Sequence, residues 1–291
     1  MIDEQPRPGL TTPARILAYD GDSAREIVDD LATEEPLEIR LVAGTRVRSL
    51  AVTMRTPGND FELAAGFLLS EGLITRREDI AGISYCIDPD IDAQQRYNIV
   101  NVQLAGSVLP ALERLERHFT MNSACGVCGK ANIEALATRA SRLDDETHVH
   151  LDVIAQLPDK MRAAQRVFES TGGLHAAALF DERGDLLVLR EDVGRHNALD
   201  KIAGWALLGA RIPLAGCVLL VSGRASYELV QKSIMARIPV VCAVSAPSSL
   251  AVELARSFGV TLLGFVRGSR ANVYAGPERI TRAAETPAAD R

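Results

Sequence analysis

Cysteine is scarce in this chain. There are five in 291 residues, at irregular spacing, which excludes the disulfide framework of a small secreted protein. The first fifteen residues are polar and contain proline, with no apolar leader. A reducing, cytoplasmic setting is therefore expected. No stretch approaches the ~18 consecutive apolar residues of a membrane span. Positive charge is also short: 32 Lys and Arg stand against 38 Asp and Glu, for a net charge of −6. That excludes a general nucleic-acid binder, which carries a basic stripe, but leaves room for a local cationic pocket. No internal repeat is visible. With 47% hydrophobic and 24% charged residues, the composition is that of an ordinary globular chain able to bury a core without staples.

Two of the five cysteines form a pair in Asn122-Ser-Ala-Cys-Gly-Val-Cys-Gly-Lys130. Gly126 and Gly129 free the backbone to turn, and Lys130 adds a cation that favours thiolate, the form that attacks sulfur or binds metal. There is no second pair. A structural zinc ion wants four ligands, so Cys125 and Cys128 alone make half a site, which a second subunit could complete. A redox dithiol, sulfur chemistry and a turn with incidental cysteines are the other readings. Cys86, Cys217 and Cys242 lie in apolar strands and read as inert core residues.

Periodicity supplies the organisation. Leu37 to Val42 and Val47 to Met54 read as a hairpin. Asn59-Asp60 caps a helix over Phe61 to Ser70, with Asp60 and Glu62 charging its N-terminus. Strands are expected over Ile80 to Ile87 and Tyr97 to Leu104, and helices over Leu109 to His118 and from Lys130 to Thr138. A helical region from Val153 to Phe168 is broken near Pro158. From Gly172 onward, apolar strands at 175–180, 186–190, 217–221, 240–244 and 260–266 alternate with helices at 197–208, 226–236 and 248–258, Asn197 capping the first. This pattern predicts a mostly parallel sheet covered on both faces. The expected organisation is a loose N-terminus over 1–15, an α+β region over 16–150 carrying the cysteine loop, an α/β core over 151–280 and a loose tail over 281–291.

Ligands of open α/β sheets sit at the carboxyl ends of strands. Three such ends carry small or cationic residues: Ser222-Gly223-Arg224, Ser245-Ala246-Pro247 and Arg267-Gly268-Ser269-Arg270, the last preceded by Phe265 and Val266. They are candidates for one pocket, in which Phe265 offers a stacking plane and the arginines a fork for phosphate. No Gly-Lys-Ser/Thr follows, so this is not a Walker loop. In Asp192-Val-Gly-Arg-His-Asn197, Arg195 and His196 at a helix start suit a phosphate, or else Asp192 and Arg195 pair and order the turn. His175 invites comparison with zinc deaminases, but position 177 is Ala where those enzymes carry Glu, and no Pro-Cys-x-x-Cys occurs. His175 is retained as a pocket candidate and no metal site is assigned.

Taken together, Thr56-Pro-Gly-Asn-Asp-Phe-Glu-Leu, Ser123-Ala-Cys-Gly-Val-Cys-Gly-Lys, Thr171-Gly-Gly-Leu-His-Ala, Glu191-Asp-Val-Gly-Arg-His-Asn-Ala-Leu-Asp-Lys, Ser222-Gly-Arg-Ala-Ser and Gly264-Phe-Val-Arg-Gly-Ser-Arg resemble, in order and spread, the FdhD family of formate dehydrogenase accessory sulfurtransferases. The resemblance runs from about Arg46 to Ile280. It implies a cytidine-deaminase-like three-layer α/β/α core with an N-terminal strand-rich region, in a homodimer. It implies a persulfide accepted from a cysteine desulfurase on Cys125, with Cys128 in support. The sulfur goes to a bis-molybdopterin guanine dinucleotide cofactor of molybdenum or tungsten, destined for the formate dehydrogenase catalytic subunit. Affinity for GDP-like nucleotides follows, with Phe265 to Arg270 as the cofactor-binding segment. A non-catalytic cofactor chaperone and, less favoured, a zinc-dependent hydrolase on a deaminase scaffold are the alternatives.

Overall fold

The computed structural model describes residues 8–88, 90–109, 133–134 and 136–282. In chain order the elements are strands β1 (Thr11–Asp20), β2 (Ser23–Ala32), β3 (Glu35–Ala43) and β4 (Arg46–Arg55), helix α1 (Asp60–Ser70), then β5 (Ile80–Tyr85), β6 (Ile99–Leu104) and β7 (Val149–His150). Helices α2 (Leu151–Ala164) and α3 (Arg166–Thr171), strands β8 (His175–Asp181) and β9 (Leu186–Asp192), and helix α4 (Arg195–Leu208) follow. The chain continues through β10 (Cys217–Val221), α5 (Tyr227–Met235), β11 (Val240–Ala243), α6 (Ser249–Phe258), β12 (Thr261–Arg267), β13 (Arg270–Ala275) and β14 (Ile280–Thr281). The fold is mixed α/β.

The chain divides into two compact units, and neither is continuous in sequence. The first comprises Met1–Arg139, Gln165–Ala177 and Arg190–Ile212, and the second Ala140–Ala164, Ala178–Leu189 and Pro213–Arg291. A single cut at 150/151 therefore differs from the observed division. The reason lies in α4, which packs on α1 of the first unit and so draws the segment around it out of the C-terminal half.

In the first unit a four-stranded sheet has the order β4-β3-β6-β5. The β3–β4 hairpin turns where predicted, with Gly44 at φ 60°. Leu37, Ile39, Leu41 and Ala43 of β3 are buried at every second residue, the period-2 signature of a strand with one face on a core. Against this core lies α1, which buries Leu63, Leu68 and Leu69. Its start is not capped as expected: Asn59 holds the N-cap position at φ 56° with no side-chain bond to the helix. Asp60 instead takes a two-pronged ion pair from buried Arg55, at 3.0 and 3.1 Å, and a hydrogen bond from the Tyr85 hydroxyl at 3.0 Å. Where α1 meets α4, Gly66 faces Gly204. A Cβ on Gly66 would overlap the Asp200 carbonyl oxygen, and one on Gly204 the Glu62 carbonyl oxygen. The two backbones touch because neither side chain exists there.

The ribbon β1–β2 was not expected, since residues 1–15 read as a loose end and strand structure begins at Thr11. Its two strands expose most positions and mix charge with apolar residues, so no alternation marks it in the sequence.

A six-stranded sheet runs β13-β12-β11-β10-β8-β9; strands β10 to β13 lie in the second unit, as do residues 178–181 of β8 and 186–189 of β9. Strands β10, β11 and β12 are parallel, and β10 and β11 are buried at every residue, as strands covered on both faces must be. Strand β13 pairs antiparallel with β12 and was missed, because a tight hairpin follows where a helix would continue the alternation. In α2, Pro158 lies inside the helix and the break comes at Gln165 instead. Buried Ile154, Leu157 and Met161 recur at helical spacing through the proline, and their packing offsets its cost of about 3 kcal/mol. Buried Arg279 fastens the end of the chain. It donates to the carbonyls of Asp145 (2.9 Å), Gly259 (2.8 Å) and Leu143 (3.3 Å). Among the described residues no helix is long and apolar enough to cross a membrane.

Substituting Gly204→Ala should destabilise the protein by at least about 2–3 kcal/mol, because backbone rather than a pliable side chain blocks the new methyl. Denaturant unfolding measures this, with the exposed Gly106→Ala as a control near zero.

Candidate functional site

In the second unit the three strand-end loops touch one another. Ala225 bridges to Pro247, and the Ser248 amide donates to the Ala225 carbonyl at 3.0 Å. The Phe265 amide donates to the Ser245 carbonyl at 3.1 Å, and Arg267 Nε to the Val244 carbonyl at 3.3 Å. Gly264 permits this closeness, since a Cβ there would lie 2.8 Å from Pro247 Cδ and 3.2 Å from the Ser245 oxygen.

At Phe265 the strand departs from regular geometry. The residue sits at φ 54°, where an L side chain costs about 1–2 kcal/mol, and the register with β13 shifts between Gly264 and Arg267. Such strain persists only where the surroundings impose it, and it gathers at ligand sites. The result is a half-buried aromatic ring with the Arg270 guanidinium 5.9 Å from its centroid. Arg224, Arg267, Gly268, Ser269 and Arg270 are exposed, Ser222 and Gly223 half-buried, and Val266 is buried. A planar base against Phe265 with phosphates on the arginines is the chemistry this arrangement suits.

In the first unit the segment Asp192–Asn197 builds a centre that the sequence only partly disclosed. Asp192 does not pair with Arg195. Fully buried, it forms an ion pair with Lys201 at 2.7 Å and accepts from the amides of Thr56 (3.2 Å) and Gly194 (2.8 Å) and from Asn197 Nδ2 (2.9 Å). Lys201, also buried, donates further to the carbonyls of Thr56 (3.0 Å) and Glu191 (3.3 Å). Asn197 is not a cap. It lies inside α4, whose N-cap is Gly194, and its amide also reaches the Met54 carbonyl at 2.7 Å. The spacing Asp192…Asn197…Lys201 was the available signal: a carboxylate before a helix, and an amide and an amine one turn apart on one face of it.

His175, half-buried at the start of β8, is held below the ordinary imidazole range, first by burial and then by the positive charges of Arg195 and His196, with Asp192 opposing. The Nε of Arg195 is buried and has no hydrogen-bond partner among the described residues. His175 belongs to the first unit and the strand-end residues to the second. Ala177, where a deaminase carries its acid, is a fully buried strand residue. Among the described residues no grouping of three or more His, Cys, Asp or Glu could hold a metal ion. Glu62, expected only to charge a helix start, forms a two-pronged pair with Arg190 at 2.6 and 2.7 Å.

Cys125 and Cys128 lie outside the described residues, as do most of the helix expected over Leu109 to His118 and part of that over Lys130 to Thr138. The other three cysteines are buried and free, as expected. Burial pushes the Cys217 thiol up to about 11 and that of Cys242 up to about 12.

Comparison with known proteins places these features. Residues 32–281 match the model of the FdhD/NarQ family. The chain is 56% identical over 256 residues to the sulfur carrier protein FdhD of Streptomyces avermitilis, covering 87% of this chain and 89% of that one. It is 44% identical over 268 residues to the protein of the same name from Sulfurisphaera tokodaii, covering 91% and 98%. A crystal structure of a proposed formate dehydrogenase accessory protein from Desulfotalea psychrophila superposes with a TM-score of 0.72 at 25% identity, covering 94% of this chain and all of that one.

Replacing Lys201 with Met should destabilise the fold by roughly 3–5 kcal/mol, because it leaves the Asp192 carboxylate buried without its counter-charge. Replacing both residues, Asp192→Asn with Lys201→Met, should recover part of that loss. A double-mutant cycle in urea measures the coupling.

Proposed function

We propose that this chain, which belongs to the FdhD/NarQ family, is a sulfurtransferase that carries sulfur as a persulfide on Cys125. The observation that carries the reading is the identity with sulfur carriers over nearly the whole chain, joined to a Cys-Gly-Val-Cys segment followed by Gly129 and Lys130. Support comes from the remaining thiols. Cys86, Cys217 and Cys242 are buried, and two have thiols pushed far from the thiolate form, so none of the three is suited to meet a donor enzyme.

The chemistry balances in two exchanges. Cys125 thiolate attacks the outer sulfur of a cysteine desulfurase persulfide, forming Cys125–S–SH and releasing the desulfurase thiolate. Cys128 thiolate then attacks the inner sulfur of that persulfide. A Cys125–Cys128 disulfide forms, and hydrosulfide leaves to the molybdenum or tungsten centre of the client cofactor. A cellular dithiol reductant restores the pair. The client is a bis-molybdopterin guanine dinucleotide destined for the formate dehydrogenase catalytic subunit, and the accessory role named for the structural relative agrees with this. Its guanine nucleotide end is taken by Phe265 and the arginines of the strand-end loops. GDP-like nucleotides stand in for it, and the protein works as a homodimer in the cytoplasm.

Intact mass after incubation with a cysteine desulfurase and cysteine tests the carrier role. A gain of one sulfur, about 32 Da, is expected on the wild type and on Cys128→Ala and not on Cys125→Ala. An unchanged wild-type mass with cofactor binding retained would favour a non-catalytic chaperone. For the nucleotide site, Phe265→Ala should weaken GDP binding about tenfold, through loss of the stacking plane, as read by calorimetry.

A further inference from the structure

Strand β1 has an outer edge that pairs with no other strand among the described residues. The ribbon it forms with β2 is a two-stranded sheet of its own, each strand ten residues long. An isolated two-stranded hairpin is marginally stable in water, and an uncovered strand edge is a template for pairing. Strand β2 lies against α3, which leaves β1 as the outer strand. The register sets Arg15 beside Val28, Leu17 beside Glu26 and Tyr19 beside Ala24. These residues share one face and all are exposed, Leu17 at 53% and Tyr19 at 72%. Ile16, Ala18 and Ile27 stand on the opposite face and are half-buried. The two strands differ in charge. Strand β2 carries Glu26, Asp29 and Asp30 against a single Arg25, so a second copy of β2 beside it would set acid near acid. Strand β1 has no such excess, since its charges are Arg15 and Asp20 alone.

We propose that the free edge of β1 is a dimer interface, at which β1 pairs antiparallel with β1 of a second copy of this chain about a two-fold axis at Leu17, so that two ribbons form one four-stranded sheet. The inference rests on the homodimer of the proposed function and names the surface that forms it. Symmetry restricts the register. Neighbouring residues of a strand point to opposite faces, so in a two-fold antiparallel pair one residue must lie opposite itself. With Leu17 on the axis, leucine meets leucine. Arg15 then lies opposite Tyr19 of the second copy, a guanidinium beside an aromatic ring, and Ala14 lies opposite Asp20. No two like charges are opposed, whereas an axis at Arg15 would set arginine on arginine. The paired stretch is residues 14–20, which leaves Pro13, with no N–H to give, outside it. Residues so paired exchange about six to eight backbone hydrogen bonds, within the roughly 10 ± 5 of a typical interface.

Sedimentation equilibrium of the full chain tests this. The wild type is expected to be a dimer. Leu17→Lys sets two ammonium groups against each other on the axis and should weaken dimerisation at least about tenfold. Val28→Lys, on the same exposed face but on β2, should leave it within about twofold. A cross-link fixes the register and serves if the Lys variants do not fold. Residues directly opposite in an antiparallel pair have Cα atoms about 4.5–5.5 Å apart, inside the range a disulfide spans. In a chain also carrying Cys125→Ala and Cys128→Ala, Leu17→Cys should therefore give a covalent dimer on mild oxidation. Val28→Cys should not, because the two β2 strands would stand three strand spacings apart, about 14 Å. A dimer that withstands Leu17→Lys and gives no cross-link through Leu17→Cys overturns the proposal and leaves the homodimer standing. So does a dimer broken by Val28→Lys and not by Leu17→Lys, which would assign the contact to the ribbon's face. A monomeric wild type overturns both the proposal and the homodimer on which it rests.

Discussion

The ion pair of Lys201 with Asp192 is the interaction on which the first unit depends. Both side chains are buried, and two charges taken from water recover their desolvation cost only if every remaining donor and acceptor is met. Here they are nearly all met, by the chain on either side of the pair. The lysine holds the carbonyls of Thr56 and Glu191, and the aspartate holds the amides of Thr56 and Gly194 and the side chain of Asn197. Segments distant in sequence, the end of β4 and the β9–α4 turn, are thereby fixed to one another. The glycine contact of α1 with α4 sets the same helix about one turn further along. An α4 so constrained at both its start and its middle has little freedom of position.

How far the sequence disclosed this follows from where each signal resides. The β3–β4 hairpin, α1, the parallel strands and their helices were legible because burial on one or both faces imposes a period on the residues, and the period survives in the string. The β1–β2 ribbon was not legible, because Leu17, Tyr19, Val28 and Leu31 stand on its exposed positions and mask the alternation. The break at Gln165 was misplaced to Pro158 because a proline is a local statement, whereas the stripe Ile154, Leu157, Met161 that overrides it is a tertiary one. Asp192 shows the same limit. Its pairing with Lys201 rather than Arg195 depends on which cation the fold buries, and that is decided by packing and not by spacing.

The strand-end loops lie together in the structure, joined by the bridge of Ala225 to Pro247 and by backbone hydrogen bonds. Position follows from topology alone, since parallel strands of one sheet end on one side. The strained turn at Phe265 does not follow from topology. It needs Gly264 to let Pro247 and the Ser245 carbonyl approach, and the register shift toward β13 to turn the ring out of the strand's regular alternation. A ring held by backbone strain is placed on folding, so for the proposed nucleotide the ordering cost of stacking would fall on folding and not on binding.

The distribution of thiols completes the argument for sulfur carriage. A carrier must offer its donor one reactive sulfur, because every additional accessible thiolate diverts persulfide to a site from which it is not delivered. Burial keeps Cys217 and Cys242 protonated at about 11 and about 12 and keeps Cys86 out of reach. At neutral pH a thiol with such a value is thiolate on the order of one part in ten thousand or less. The inert cysteines are thus part of the proposed function in a negative sense: they leave the donor no choice but the pair at Cys125 and Cys128. The order of the two proposed exchanges comes from the chemistry of the persulfide, whose inner sulfur becomes electrophilic only after the first transfer.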